Sequence, residues 1–482
     1  MSTQSLNRTT AQANSYTNRV IQFGKGNFLR GFAEWIISEM NTKLNTDMGV
    51  TIIQSVVGSQ NDTLNEQGGL YHLVTKGIKD GVASRTVSLL DVVNECIDPY
   101  SNPDKFIALA EDLNNRFIIS NTTEQGIAYS DSDKFDVVPA MSFPAKLTQL
   151  MYHRFEVCGG DASKGFIIIP CELIENNGSN LKECVMKYAE LWALSAEFKA
   201  WVEEVNFFAN TLVDRIVSGF PKSGVEELHE EIGYTDKLVV ESEPYHLWVI
   251  QGDEIIAKEF TADKAGAQVL FVDDITPYRE RKVTLLNAPH TALSPVGFLS
   301  GLDTVRECVE DEQVGEFVKR VMQDELLPTV SLPREELEQF ANDVVDRFKN
   351  PYIRHMITGI MLNSFSKYKS RNLPPLKRYI TTNGTLPKGL VMGLAAVIVY
   401  YKGGKRGEES IELKDDPRVI ELLASLWSGE RSTQEIAHAV LCDESIWGED
   451  LTLIEGLEAL TAAYMTSIME QGMRATIAEY IA

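Results

Sequence analysis

Short apolar runs, each followed by a longer amphipathic stretch, constrain this chain's fold more tightly than any other feature of its sequence. Arg19-Val-Ile-Gln-Phe23 leads through a glycine turn into a helix-like stretch from Phe28 to Lys43. Val50 to Val57, Arg116-Phe-Ile-Ile-Ser120 and Gly165-Phe-Ile-Ile-Ile-Pro170 repeat the pattern. A strand with one wet face alternates apolar and polar residues, whereas a strand covered on both faces reads as a continuous apolar run. The runs therefore predict an α/β domain built on a parallel, doubly wound sheet. Tyr245 to Asp274 alternates differently and reads as a small mixed-sheet extension.

After Pro277 the pattern turns helical. Leu302 to Leu326 is periodic and charged, and Ser331 with Pro333 predicts a capped helix reaching Phe348. Ser432-Thr-Gln-Glu435 reads as a capping box before Ile436 to Leu441. The boundary falls near residue 275, giving a dinucleotide-binding domain at 1–275 and a helical substrate and catalytic domain at 276–482.

A length of 482 residues is enough for two domains, each with its own core. The net charge of −24 argues against a nucleic-acid or anionic-membrane partner, since both need a basic footprint. The N-terminus carries no signal-peptide pattern, and the longest apolar run, Leu390 to Tyr401, is too short to span a bilayer. The six cysteines are scattered without a CxxC pair or a Cys/His cluster, so reduced thiols, a cytoplasmic location and no metal site are expected. Cys171 reads as a small buried hydrophobe.

Within the helical part, Arg281-Lys-Val-Thr-Leu-Leu-Asn-Ala-Pro-His290 spaces an amine, an amide and an imidazole at Lys282, Asn287 and His290. On a helix these offsets lie near one and two turns, which would turn all three toward one cleft. An amine that trades a proton and an amide that holds a developing oxyanion suit carbonyl reduction. A free lysine, with a pKa near 10.4, is a poor shuttle at neutral pH. Arg281 and His290 are candidate cationic neighbours to lower it. Taken alone, such a spacing also arises by chance on an ordinary amphipathic helix.

Phe23-Gly-Lys-Gly-Asn-Phe-Leu-Arg30 sits between the first strand and the first helix, where a dinucleotide fold places its phosphate turn. Gly24 suits a tight turn and Gly26 a close backbone approach. Asn27, Phe28, Leu29 and Arg30 complete the candidate cofactor contact. The third glycine of GxGxxG is Leu29 here, and Ile52-Ile-Gln-Ser55 ends the second strand without an acid for the ribose. The residues leave NAD and NADP both open.

Together these segments resemble the long-chain polyol dehydrogenases, the mannitol dehydrogenase family. Gly-x-Gly-Asn-Phe-x-Arg, Val213-Asp-Arg-Ile216 and Lys-x4-Asn-x2-His occur in that family's order. Ser120-Asn-Thr-Thr-Glu124, Phe143-Pro-Ala-Lys-Leu-Thr148, Ile168-Ile-Pro-Cys-Glu-Leu173, Arg347-Phe-Lys-Asn-Pro351 and Asn383-Gly-Thr-Leu-Pro387 are similar to its hexuronate-reducing branch. The resemblance implies a Rossmann-type N-terminal domain, a mostly α-helical C-terminal domain and a substrate cleft between them. It also implies reversible NAD-dependent reduction of D-tagaturonate to D-altronate. Lys282 would be the acid/base, Asn287 and Asn177 the oxyanion donors, and His290 a polar neighbour. Asn176 adjoins Asn177 as the alternative asparagine. Asp214 would lie near the hexuronate or hexonate substrate, or pair with Arg215. Fructuronate reduction, mannitol oxidation and a nucleotide-sensing binding protein are the competing readings, and the oligomeric state stays open.

An anionic substrate needs a cation somewhere in so acidic a chain. Residues 347–407 hold no Asp or Glu, while Arg347, Lys349, Arg354, Lys367, Lys369, Arg371, Lys377 and Arg378 crowd together. Lys367 and Arg371 are the predicted carboxylate ligands. His355 reads as structural.

Overall fold

The computed structural model describes residues 3–55, 62–123, 125–406 and 409–482. It divides into two compact units, Met1–Lys76 with Ala83–Ile275, and Gly77–Val82 with Thr276–Ala482. Val56 and Val57, the expected end of the second strand, and Glu124 lie outside the described residues.

In the first unit the apolar runs pair as strands β1 (Asn18–Phe23), β2 (Gly49–Ile53), β3 (Val93–Ile97), β4 (Phe117–Ser120), β5 (Ile167–Pro170) and β6 (Phe207–Phe208). They form one sheet in the order β3-β2-β1-β4-β5-β6 with every neighbouring pair parallel. This is the Rossmann order, and it reverses direction between β1 and β4. Adjacent residues of one strand feed opposite cores. Ile21, Ile53, Ile118 and Ile168 pack with Leu147, Leu150 and Val185 on one face. Val20, Ile52, Ile119 and Ile169 pack with Ile36, Ile37 and Met40 on the other. Each such buried side chain contributes about 1.5–3 kcal/mol, so both faces of these strands are built mainly from apolar residues.

The helix expected from Phe28 to Lys43 is broken into α1 (Asn27–Arg30) and α2 (Ala33–Leu44). Gly31 lies at the break, where a Cβ would meet Val217 Cγ1 at 2.9 Å. The mixed extension is present as Asn210–Asp214, Leu247–Gln251 and Val269–Val272, joined by one antiparallel and one parallel ladder. A four-stranded sheet containing the paired strands Tyr71–Lys79 and Val82–Leu90 was not expected. The helices α3 (Phe143–Cys158) and α4 (Asn177–Leu191) cover the sheet face lined by Ile118 and Ile168.

The second unit is mostly helical, with a minor strand pair at Lys405–Arg406 and Glu409–Ser410. Its site-bearing elements are α5 (Thr276–Lys282), a π-helical segment Val283–Asn287, α6 (Ala288–Leu299), α7 (Arg334–Phe348), α8 (Ser364–Arg371), α9 (Leu373–Asn383) and α10 (Lys388–Tyr400). The apolar run near Leu390 is indeed a buried helix. It approaches α6 closely enough that a Cβ on Gly393 would touch Ala292 at 3.3 Å. Ser432 and Glu435 form the expected capping box. Ser331 does not cap the next helix: Pro333 occupies the N-cap of α7 with no side-chain hydrogen bond, because the helix starts three residues beyond Ser331. Among the described residues no helix is long and apolar enough to cross a membrane.

Candidate active site

The loops that follow β1, β4 and β5 are tied together at the carboxyl end of the sheet. Asn121 N–H donates to the Phe23 carbonyl at 3.1 Å, and Asn121 Nδ2 donates to the Cys171 carbonyl at 2.7 Å. Glu172, buried directly after β5, accepts from Ser120 Oγ at 3.0 Å and from Thr122 N and Oγ1, both at 2.9 Å. Burial pushes the Glu172 carboxyl pKa up against these hydrogen bonds. Sequence reasoning did not select Glu172, although an acid immediately after an apolar strand was the available signal. Cys171 is fully buried, as a hydrophobe would be.

The glycine turn answers to two separate constraints. Gly24 has φ +111°, and a Cβ there would sit 2.8 Å from the Asn121 carbonyl oxygen, so only glycine fits. Gly26 has φ −67°, and a Cβ there would meet nothing within 4 Å. Its bare backbone thus faces open space, which suits close approach of a dinucleotide. Lys25 Nζ donates to Gln54 Oε1 at 2.9 Å, joining the turn to the end of β2. Phe28 stacks on Phe32 at 5.0 Å, Leu29 is buried, and Arg30 donates to the Leu238 carbonyl and to Asn27 Oδ1. The first helix is a single turn and not the long one expected. Beyond β2 and β3 lies a cavity of about 470 Å³ lined by Gln54, Asp62, Asn65, Glu95 and Asp98. The carboxylates of this lining come from further along the chain than the end of the second strand.

These two glycines separate folding from binding. Gly24→Ala is expected to lose about 1–3 kcal/mol of stability from the strained backbone alone. Gly26→Ala should melt like the parent yet bind NADH more weakly, because its methyl fills the approach. Thermal unfolding and NADH fluorescence titration of both variants check this.

Asn177 is placed differently from its expected role. Its Nδ2 donates to the carbonyls of Pro170 and Glu172 and to Thr211 Oγ1, each at 3.1 Å. Its Oδ1 accepts from Thr211 N at 2.8 Å and Gly178 N at 2.9 Å. With the Thr211 carbonyl at 3.4 Å, two amide hydrogens already meet four acceptors in a fully buried position, which leaves none for a substrate oxygen. Asn176 is exposed, with a left-handed backbone at the start of α4. Asp214 is buried at the end of its strand. Arg215 donates to the Glu243 and Gly31 carbonyls at 3.0 and 2.7 Å and lies over Trp35.

In the second unit, Lys282 ends α5, Asn287 ends the π segment, and His290 opens α6. The π segment changes the geometry. On a regular α-helix an offset of five residues leaves two side chains about 140° apart. Here the backbone bonds i→i+5, with Ala288 N–H donating to the Val283 carbonyl, and the wider coil brings Lys282 and Asn287 toward one side. Both are half-buried. Among the described residues no hydrogen bond engages the Asn287 side-chain amide, while its carbonyl accepts from Thr291 Oγ1 at 3.0 Å.

His290 stacks on Phe348 at 4.1 Å and meets His355 edge-on at 5.0 Å. Its Nε2 is shut off from solvent with no partner among the described residues. Burial first, then His355, Arg347 and Arg371, holds its pKa well below the ordinary imidazole value. A neutral imidazole brings no positive charge to Lys282, which corrects the cationic role expected of it. Arg281 is no better placed, since its guanidinium packs over Tyr278 and Phe340 at 5.1 and 4.5 Å.

The depressed His290 pKa has a stability consequence. The unfolded chain takes up this proton below about pH 6.5 and the folded chain does not, so stability falls as the solution is acidified. The slope from this one group reaches about 1.4 kcal/mol per pH unit. A His290→Asn variant should unfold with a flatter pH dependence than the parent between about pH 5 and 7, measured by thermal melts.

Of the predicted carboxylate ligands, Arg371 reaches α6, with Nη1 3.4 Å from Thr291 Oγ1. Lys367 lies one turn earlier on α8 and donates to the Ile360 carbonyl at 2.7 Å. Burial lowers both pKa values. Arg378, from the same basic stretch, reaches the π segment at Thr284 Oγ1, 3.2 Å away, and its Nε is buried without a partner among the described residues. Lys377 and Arg406 instead pair with Glu449 and Asp303 on the surface. Among the described residues no cluster of three His, Cys, Asp or Glu is arranged to hold a metal.

Family models match the two parts of the chain separately. Residues 18–264 match the mannitol dehydrogenase Rossmann domain, and residues 274–468 match the mannitol dehydrogenase C-terminal domain. The altronate oxidoreductase of Phocaeicola vulgatus is 50% identical over 475 residues, covering 98% of this chain and 99% of the relative. That of Escherichia coli K12 is 44% identical over 479 residues, with the same coverage. Among solved structures, the Pseudomonas fluorescens mannitol 2-dehydrogenase ternary complex with NAD and D-mannitol shares the fold at TM-score 0.65 and 22% identity, covering 99% of both chains. A substrate-free D-sorbitol dehydrogenase does so at TM-score 0.78 and 19% identity, covering 98% of this chain and 100% of its own. An ordered α/β sheet with a glycine turn, a helical unit carrying Lys282, Asn287 and His290, and these full-length relatives lead to one conclusion: the chain is an oxidoreductase belonging to the mannitol dehydrogenase family.

Proposed function

We propose that the chain interconverts D-tagaturonate and D-altronate with NAD(H). The observation that carries the chemistry is the π turn that brings Lys282 and the uncommitted Asn287 amide to one side. Bound NADH would supply hydride to the ketone carbon. Lys282, protonated, gives its proton to the carbonyl oxygen, and in the reverse direction takes the proton from the hydroxyl. Asn287 Nδ2 donates to the same oxygen as negative charge builds there, worth on the order of 3 kcal/mol for a well-aimed donor. His290, stacked on Phe348 one turn beyond Asn287, adds an uncharged aromatic neighbour. Arg371, with Lys367 one turn away, offers the fork and the point charge that a hexuronate carboxylate requires.

The residues of the first unit fit a dinucleotide. Gly26 leaves room for the backbone to approach, and Asp62 lines the cavity beyond β2 and β3. A carboxylate there accepts ribose hydroxyls and repels a 2′-phosphate, which favours NAD over NADP. The choice of uronate rests on the altronate oxidoreductases at 44–50% identity.

Reduced-nicotinamide consumption with D-tagaturonate, D-fructuronate and D-fructose, each with NADH and with NADPH, tests this reading. Fastest turnover with D-tagaturonate and NADH supports it. Preference for either other sugar replaces the substrate, and NADH binding without consumption replaces the enzyme by a nucleotide sensor.

A further inference from the structure

A buried carboxyl group lies directly beneath the glycine turn, and none of the chemistry above uses it. Glu34, in the first turn of α2, is fully buried. Gln22 Nε2 donates both to Glu34 Oε1 and to the Gly24 carbonyl, each at 2.8 Å. The Tyr71 hydroxyl lies 2.6 Å from Glu34 Oε2 and 3.0 Å from the Arg30 carbonyl oxygen. One carboxyl thus reaches the backbone on both sides of the turn, at Gly24 through Gln22 and at Arg30 through Tyr71.

Counting hydrogens assigns the protonation state. The tyrosine has one hydroxyl hydrogen and two oxygens within reach, the carboxyl and the Arg30 carbonyl. If Glu34 were ionised, that hydrogen would go to the carboxylate, and the Arg30 carbonyl would lose its contact. If Glu34 carries a proton, its O–H donates to Tyr71 and Tyr71 donates to Arg30, so both contacts are hydrogen bonds. No Lys or Arg forms a salt bridge to Glu34 among the described residues, where the nearest cation, Arg30, donates instead to Leu238 and Asn27 and lies over the Tyr71 ring at 5.2 Å.

We infer that Glu34 is a positioning residue for the cofactor turn, held as a neutral acid that relays Glu34 O–H to Tyr71 O–H to the Arg30 carbonyl while Gln22 bridges it to Gly24. Burial pushes the Glu34 carboxyl up, opposed by its polar neighbours Tyr71 and Gln22 and by the charge of Arg30. The titratable or charged groups facing this network are Tyr71 with Asp236 behind it, Arg30 from α1, and Cys96 from β3. Ionisation of Glu34 at alkaline pH breaks the relay, frees the Arg30 carbonyl and loosens the turn that carries Gly26 and Asn27. NADH affinity should therefore be level near neutral pH and decline on the alkaline side.

The inference rests on the dinucleotide reading of this turn, and NADH binding to the parent protein tests that reading separately. The experiment is NADH fluorescence titration of the parent, Glu34→Gln and Glu34→Ala from neutral to alkaline pH, with thermal melts alongside. Glutamine keeps a donor toward Tyr71 and an acceptor toward Gln22 but cannot ionise. Glu34→Gln should match the parent's affinity at neutral pH and lose the alkaline decline. Glu34→Ala should bind NADH about tenfold more weakly at every pH, from the loss of buried hydrogen bonds. Superimposable pH profiles for the parent and Glu34→Gln, or a Glu34→Gln affinity as poor as that of Glu34→Ala, would overturn the inference. A parent that binds no NADH at all would instead overturn the dinucleotide reading.

Discussion

Replacing Lys282 by alanine is expected to cut kcat for D-tagaturonate reduction by about 10²–10⁴ while leaving NADH affinity unchanged. The size follows from the proposed role. A positioned general acid supplies its proton only as the carbonyl oxygen becomes basic, so its removal acts on the chemical step and leaves cofactor binding alone. The glycine turn and Lys282 belong to different compact units, so the substitution leaves the fold around the turn untouched. Stopped-flow single turnovers with pre-bound NADH isolate the step. A variant with parental turnover would remove Lys282 from the mechanism.

Two asparagines should fail in opposite ways. Asn287→Ala is expected to fold normally and lose about 10²–10³ in kcat, the cost of one oxyanion donor. Its amide has no hydrogen bond to lose among the described residues, so little stability goes with it. Asn177→Ala removes bonds to Pro170, Glu172, Gly178 and Thr211 from a fully buried site. Leaving even one of those groups unpaired costs about 1–3 kcal/mol, so the defect should appear first in the melting temperature. Measuring kcat and thermal stability for both variants separates the roles. An Asn177→Ala variant of parental stability but depressed kcat would return Asn177 to the catalytic set.

The parallel sheet was legible because burial on both faces leaves a direct trace. Ile52 and Ile53, or Ile118 and Ile119, can be adjacent only if each face of the strand has its own core. The α10 helix and the Ser432 capping box were legible for similarly local reasons. The paired strands Tyr71–Lys79 and Val82–Leu90 were missed although Asp80-Gly81 signals a two-residue turn. Both residues have positive φ, 53° and 73°, as a type I′ hairpin turn requires. The break in the first helix was not visible, because it sits where Gly31 meets Val217, a residue distant in sequence.

The candidate site was legible as residue types and not as geometry. Lys282, Asn287 and His290 stood out by spacing, but a regular helix would have turned Lys282 and Asn287 apart, and no local signal announces the π segment that reconciles them. Asn177 was chosen by its neighbours in sequence, while its commitment to Thr211 depends on a strand 34 residues away. Charge counting located the basic stretch. Only packing distinguishes Arg371 and Arg378, which reach Thr291 of α6 and Thr284 of the π segment, from Lys377, which pairs with Glu449.

The most direct test of the account is the rate of D-tagaturonate reduction by Lys282→Ala, followed while a small primary amine is titrated into the assay. If Lys282 is the proton donor, the variant should be nearly inactive alone, and its turnover should rise with the concentration of protonated amine while that of the parent stays constant. Parental turnover without amine, or an inactive variant that several amines of matched pKa and small volume all fail to revive, would contradict it.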